Sequence, residues 1–239
     1  MLLLLAIPIV VLLGSLVDSA SKRAHEISCG NNLKQIGLAI ENYHTSYNVY
    51  PSPNFGGHSW RIRSLGFLMA SSMHSNYNYD QSWDSDLNYS LDSRPLPTKS
   101  DKLVIYGMPG TYACTTDGDG THETAYSMVV GASAFGKPDD ITDGLETTIA
   151  VAETRSRDIH WLEPVDFDAT NMSFVVNDFG TLSISSDHPR GPAVLFGDGA
   201  VYRLSPRTDP QIVKAMVTID GGEELDRDRL VLDGVLVAP

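Results

Sequence analysis

The sequence predicts an α+β fold in which one long N-terminal helix packs on an antiparallel β-sheet domain. Three observations carry that expectation. Residues 1–17 form an uncharged run, apolar residues then recur at helical spacing from Cys29 to Tyr47, and the β-type runs all come after residue 100. Strands collected after a helix, rather than alternating with helices, favour α+β with antiparallel pairing.

The first element is the clearest. MLLLLAIPIVVLLGSLV at residues 1–17 holds no charge, and as a helix it extends roughly 26 Å, close to the thickness of a bilayer core. It is expected to be a membrane anchor. The rival is a cleaved signal peptide, but no basic segment precedes the run, and Asp18 sits at the −3 position of a cut after Ala20. Pro8 removes one backbone hydrogen bond inside the run and should kink it. Beyond it, Cys29, Leu33, Ile36, Ile40, Tyr43 and Tyr47 alternate steps of four and three, which places them on one stripe of a helix. Asn31, Asn32, Lys34, Glu41 and Asn42 fall on the opposite side. One helix is predicted from near residue 2 to about residue 47, on the order of 70 Å long and ended by Pro51. The chain then divides into a helix over 1–50, with the anchor at 1–17 and a domain-packing half at 18–50, and a domain over 51–239.

Within that domain, residues 51–100 are rich in Ser, Asn, Tyr and Asp and read as irregular structure around one short helix near Leu65–Met73. Strands are predicted at Leu103–Tyr106, Tyr126–Val130, Thr147–Ala152, Phe174–Val176 and Val194–Leu204. The last contains a Gly197-Asp198-Gly199 turn between apolar segments, a hairpin signal. A helix over Pro210–Val217 follows, with Asp209 as N-cap, Pro210 at the first helical position and Gly221-Gly222 as its stop.

Composition excludes several functions. The chain has 42% hydrophobic residues, as a folded protein should, and 17 Lys and Arg against 30 Asp and Glu. Residues 1–50 hold three of each sign, so the whole net charge of −13 falls in residues 51–239. Such a surface repels a phosphate backbone, and nucleic acid is not an expected partner. Cys29 and Cys114 lie outside any CxxC spacing, which argues against a Cys-rich zinc site and leaves either a disulfide or two separate thiols.

The motif search finds no complete catalytic set. His122-Glu123 is followed by Tyr126 where HExxH needs His, and Gly131-Ser133-Phe135 lacks the final Gly of a nucleophile elbow. His188 with Asp198 lacks a nucleophile, so a fold-stabilising contact from His188 to its loop is expected, with Asp198 closing the hairpin tip. Asp117 and Asp119 in TTDGDGTHE are the candidate Ca²⁺ ligands, yet two carboxylates are too few alone, and an EF-hand loop would need Gly at His122. Asp139, Asp140, Asp143, Glu146 and Glu153 read as solvated loop ends, with Glu153 paired to Arg155 or Arg157. Trp60, Trp83 and Trp161 read as core, or else as the lining of a groove.

Several blocks carry a family resemblance. NNLKQIGLAIENYHTSYNVYP at Asn31–Pro51, Trp60 with Arg61 and Arg63, WDSDLN at Trp83–Asn88, ITDGLETTIAVAE at Ile141–Glu153, and Trp161 with Pro164 resemble a largely planctomycete, prepilin-like family catalogued as a domain of unknown function. His188, Asp198 and Gly199 are similar to that family's C-terminal His-x9-Asp-Gly motif. No Gly-Phe-Thr-Leu-x-Glu cleavage signature precedes the apolar run. The resemblance implies a pilin-like architecture and a membrane-anchored, pseudopilin-like structural subunit of a type II secretion-like or cell-envelope assembly. It implies an N-terminus inside the cytoplasmic membrane and a periplasmic or otherwise extracytoplasmic domain, although Lys22 and Arg23 after the span vote weakly for the reverse. Its implied partners are the lipid bilayer and other pseudopilin-like or envelope proteins, with no cofactor and no catalysis. A surface-anchored carbohydrate- or peptide-binding module is the alternative.

Overall fold

Helix α1 is continuous over Leu2–Tyr47, through Pro8, in the computed structural model, which describes residues 2–68, 71–92, 95–97, 103–105, 107–114, 122–130, 140–155 and 159–238. Its end is set by Asn48, which takes a left-handed conformation (φ +58°) and donates its N–H to the His44 carbonyl, with Pro51 following. The expected stripe is the buried one: Cys29, Leu33, Ile36, Ile40 and Tyr43 are all inside, while Tyr47, at the end of the helix, is 60% exposed. Lys34, Glu41 and Asn42 face water. Residues 16–24 are exposed on every side, so α1 begins to bury only at His25 and Glu26. Among the described residues no helix is long and apolar enough to cross a membrane.

After α1 come β1 (Asn54–Phe55) and β2 (His58–Ser59), a small hairpin, then α2 (Trp60–Ser64), capped by the Ser59 hydroxyl. The single helix expected at Leu65–Met73 is instead a 3-10 turn over Leu65–Phe67 and a separate α3 (Ser71–Asn76). The reason is local: Leu68 is extended (φ −101°, ψ 96°) and interrupts the helix. Helix α4 (Asp86–Tyr89) precedes β3 (Pro95–Pro97) and β4 (Leu103–Ile105), which pair antiparallel with each other alone among the described strands.

The main sheet has six strands. They are β5 (Tyr126–Val130), β6 (Ile149–Glu153), β7 (Phe167–Asp168), β8 (Ala193–Phe196), β9 (Val201–Leu204) and β10 (Leu236–Val237), in the order β10-β9-β8-β6-β5-β7. All pairs are antiparallel except the edge pair β5 and β7. The β8–β9 hairpin closes as expected: Gly199 donates to the Phe196 carbonyl at 3.0 Å and sits at φ +86°, where a side chain would be strained.

Side chains alternate across the sheet, so both faces are buried. Ala193 and Leu195 of β8 join the core beneath α1 and α2, with Tyr126, Met128 and Val201. Val194 and Phe196 point the other way, into a core with α5 (Pro210–Val217) and α6 (Arg227–Leu232). Where α1 meets β8, a Cβ added at Gly37 would lie 2.9 Å from Leu195 Cδ1, so the leucine end would have to shift. Helix α5 has the expected bounds and Asp209 cap, but it stops at an extended Thr218 rather than at Gly221-Gly222, whose N–H groups bind Asp143 instead. The strand expected at Phe174–Val176 does not form. Asx turns at Asp168 and Asp178, together with Asn177 at φ +62°, hold that segment as loops with a single bridge from Ser173 to Ser183.

Candidate functional site

Where α1 crosses β8 and β9, the chain buries an unusual set of polar groups. Glu26 and Cys29 come from α1, Cys114 from the loop after Gly110–Tyr112, Glu153 from the end of β6, His188 from the loop before β8, and Arg203 from β9. All six are at most 4% exposed. Cys29 and Cys114 are joined as a disulfide with their Cα atoms 5.5 Å apart. His188 Nε2 lies 3.2 Å from Cys114 Sγ and 3.4 Å from Glu153 Oε1.

Charge in this cluster is matched by pairing, as burial demands. Glu153 Oε2 accepts from the Ala193 N–H at 2.7 Å and from Arg203 Nη1 at 3.2 Å. Arg203 also donates to the carbonyls of Gly191 and Glu26. Glu26 is held by Arg190 through Nε at 2.7 Å. Burial on its own would raise the Glu26 carboxyl, but hydrogen bonds and charge from Arg190, with charge from Arg203, hold it below the ordinary carboxylate range. Two atoms are left over, Arg203 Nε and Glu153 Oε1. Glu153 Oε1 is buried with no hydrogen-bond partner among the described residues, and it faces His188.

A second cluster lies nearer the surface. Asp92 accepts from Trp161 Nε1 at 2.8 Å on one oxygen and from His160 Nε2 at 3.0 Å on the other, where it also pairs with His122. Burial opposes ionisation of Asp92, but the hydrogen bonds from His160 and Trp161, with charge from His122, bring its carboxyl below the ordinary value. The spacing of Asp92, His122 and His160 is compatible with a metal, yet the tautomer is not. Leu162 N–H donates to His160 Nδ1 at 3.2 Å, so Nε2 carries the proton and has no lone pair for an ion. The arrangement is better suited to hold a shelf of rings: His160 stacks on Tyr89 at 4.8 Å and lies 5.7 Å from Trp83.

A family model described as "Protein of unknown function (DUF1559)", SBP_bac_10, matches residues 20–181. The chain belongs to the DUF1559 family. No curated protein and no solved structure matches it. The DUF1559 match includes Cys29, Cys114 and Glu153 and ends before His188.

In this DUF1559 chain, His188 and Asp198 serve different partners. His188 faces Cys114 and Glu153, whereas Asp198 closes the hairpin onto the Ala200 N–H at 3.0 Å and pairs with Arg227 at 2.7 Å. Gly199 supplies the turn. Asp117 and Asp119 lie outside the described residues, as do Gly131, Ser133, Phe135, Asp139 and Arg157. The pairing expected between Glu153 and Arg155 is corrected: Arg155 pairs with Asp187, and Glu153, pointing inward at the strand end, takes Arg203. Trp60 and Trp161 are core, with indole N–H groups bound to Asp166 and Asp92, while Trp83 is half-buried against that core.

Arg203 and Glu26 were not singled out from sequence. A signal existed for the arginine. Val201 and Arg203 share a strand face, and since Val201 must point into the core, Arg203 needs a buried acid.

Proposed function

We propose that this DUF1559 protein is a membrane-anchored, pseudopilin-like structural and interaction subunit of a secretion-type or cell-envelope assembly, working without catalysis. The observation that carries the reading is the division of α1. Its second half is buried against β8, β9 and α2, while residues 16–24 stand exposed all round, with Leu16 and Val17 58% and 67% exposed. A stalk that continues into an uncharged 17-residue run is stable where hydrocarbon or neighbouring stalks cover it. The net charge of −13 resides entirely in the head, which suits water. A Cys29–Cys114 disulfide fits an oxidising, extracytoplasmic compartment.

The full-length protein is expected to sediment with membranes and to stay there through alkaline carbonate washing. Release into the carbonate supernatant would end this reading.

The shelf formed by Trp83, Tyr89 and His160 favours a second reading, an anchored module that binds a carbohydrate or peptide through ring stacking. That reading predicts glycan-array binding which disappears in Trp83→Ala while folding is kept. A wild-type protein that binds nothing on the array removes it.

A further inference from the structure

We propose that Cys29, Cys114, His188 and Glu153 form a tetrahedral zinc site whenever the two cysteines are thiols, so that disulfide and metal are alternative clamps on one joint. Four ligand atoms, the Sγ of Cys29 and of Cys114, a ring nitrogen of His188 and a carboxylate oxygen of Glu153, lie within 4.8 Å of one another, and all four residues are buried. Two soft thiolates, an imidazole and a carboxylate make a donor set that suits zinc.

The distances carry the argument further. With Zn–N and Zn–O near 2.0–2.1 Å and Zn–S near 2.3 Å, a tetrahedral site has N···O edges of roughly 3.4 Å and N···S edges of roughly 3.5 Å. The structure has 3.4 Å between His188 Nε2 and Glu153 Oε1 and 3.2 Å between His188 Nε2 and Cys114 Sγ. A charge-assisted hydrogen bond between a histidine and a carboxylate would close to roughly 2.7–2.9 Å. The pair instead stands apart by about the span of a shared ion. Only the sulfurs must move, and with Cα atoms 5.5 Å apart, rotation of the two side chains opens them without moving the backbone.

Glu153 is the second, independent pointer. Its Oε2 is fixed by Ala193 N–H and Arg203, which orients the carboxylate, while the buried Oε1 has no hydrogen-bond partner among the described residues and faces His188 Nε2 at 3.4 Å. Outer partners of this kind are what position a metal-binding carboxylate. Charge balances as well. Two thiolates and a carboxylate bring three negative charges to a dication, and the surplus is met by buried Arg203.

Loading transfers no electrons: two S–H bonds are replaced by two S–Zn bonds and two protons leave to solvent. The disulfide arises from the same dithiol when an external disulfide accepts two electrons and two protons. Which clamp holds α1 to the Cys114 loop therefore depends on the redox state in which the chain meets the metal. This inference does not depend on the membrane reading.

The test uses the full-length chain in detergent, kept reduced and free of oxygen, with Co²⁺ as the spectroscopic probe. One equivalent should give intense tetrahedral d–d bands with thiolate-to-cobalt charge transfer, displaced by Zn²⁺, and the disulfide form should give none. His188→Ala and Glu153→Gln should each weaken binding by more than the roughly 10–100-fold that follows loss of an outer partner. X-ray absorption of the zinc-loaded wild type, which needs no variant to fold, should show two sulfur and two nitrogen or oxygen neighbours. No tetrahedral band in the reduced, folded chain overturns the site, as does a shell without two sulfurs or a band unchanged in both variants.

Discussion

An Arg61→Met protein should be less stable than wild type by about 3–5 kcal/mol at neutral pH, the range found when a buried ion pair loses one partner. Arg61 is fully buried on α2. It donates to Asp166 Oδ1 at 2.7 Å, to the Tyr126 carbonyl at 2.7 and 3.2 Å, and to the Ser59 hydroxyl at 2.9 Å. Methionine keeps the bulk of the stem but leaves the Asp166 carboxylate without a cation. The loss should depend on pH in a stated direction. Burial pushes Asp166 up to about 6 from an ordinary 3.8, against the lowering effect of Arg61, Trp60 and the Met128 N–H. Well below pH 3.8 the carboxyl is neutral in folded and unfolded chains alike, and its burial costs little. As pH rises through about 6 the folded wild type ionises, so the stability that the raised value confers at acid pH has been lost by then. The variant, without the cation, keeps its proton to higher pH and goes on losing about 1.4 kcal/mol per pH unit. The gap between the two proteins, measured by urea denaturation, should widen from pH 5 to pH 8. Asp166→Asn added to Arg61→Met should recover part of it, since the amide oxygen still accepts from Trp60 and Met128. A gap that is constant with pH would show that packing, not the stranded charge, sets the cost.

That pair also marks the limit of what the sequence discloses. The stripe on α1, the bounds of β5 at Tyr126–Val130, the β8–β9 hairpin and the Asp209-Pro210 start of α5 are all encoded by contacts within a few residues, and they can be read from spacing and capping. The Phe174–Val176 segment is apolar enough for a strand, but Asp168 and Asp178 bond their own neighbours, and Asn177 accepts from the Ser186 N–H, contacts that give the backbone turns instead. Helix α6, with Asp226 as its cap, has a legible start that its short, charged sequence obscures. The candidate site fails to appear for a different reason. Cys29, Cys114, Glu153 and His188 were each visible as residues with chemistry, yet they come from four elements, and only the crossing of α1 over the sheet brings them together. Convergence of that kind leaves no periodic trace in one chain.

Replacing both cysteines, Cys29→Ala with Cys114→Ala, is expected to cost about 2–5 kcal/mol in the oxidised protein, with the chain-entropy model placing it near the top of that range. The bridge closes a loop of 85 residues in sequence separation, so in the unfolded chain it removes a large share of conformational freedom. Little of the loss should come from the folded side. Asn32 Nδ2 still donates to the Ala113 carbonyl at 2.9 Å, and Tyr126 hydroxyl still donates to the Cys29 carbonyl at 3.0 Å, so the Cys114 loop keeps its seat on α1. The double variant should therefore retain the native circular dichroism spectrum. It should also unfold with a steeper dependence on urea, because its unfolded chain exposes more surface. Reduced wild type without metal should fall beside the double variant, and Zn²⁺ should raise the reduced wild type alone, by an amount that grows with free metal concentration. A double variant within 1 kcal/mol of the oxidised protein would mean that the linkage between α1 and the loop is already supplied by the packing of Leu33, Tyr112 and Trp161, and that the sulfurs are there for their chemistry.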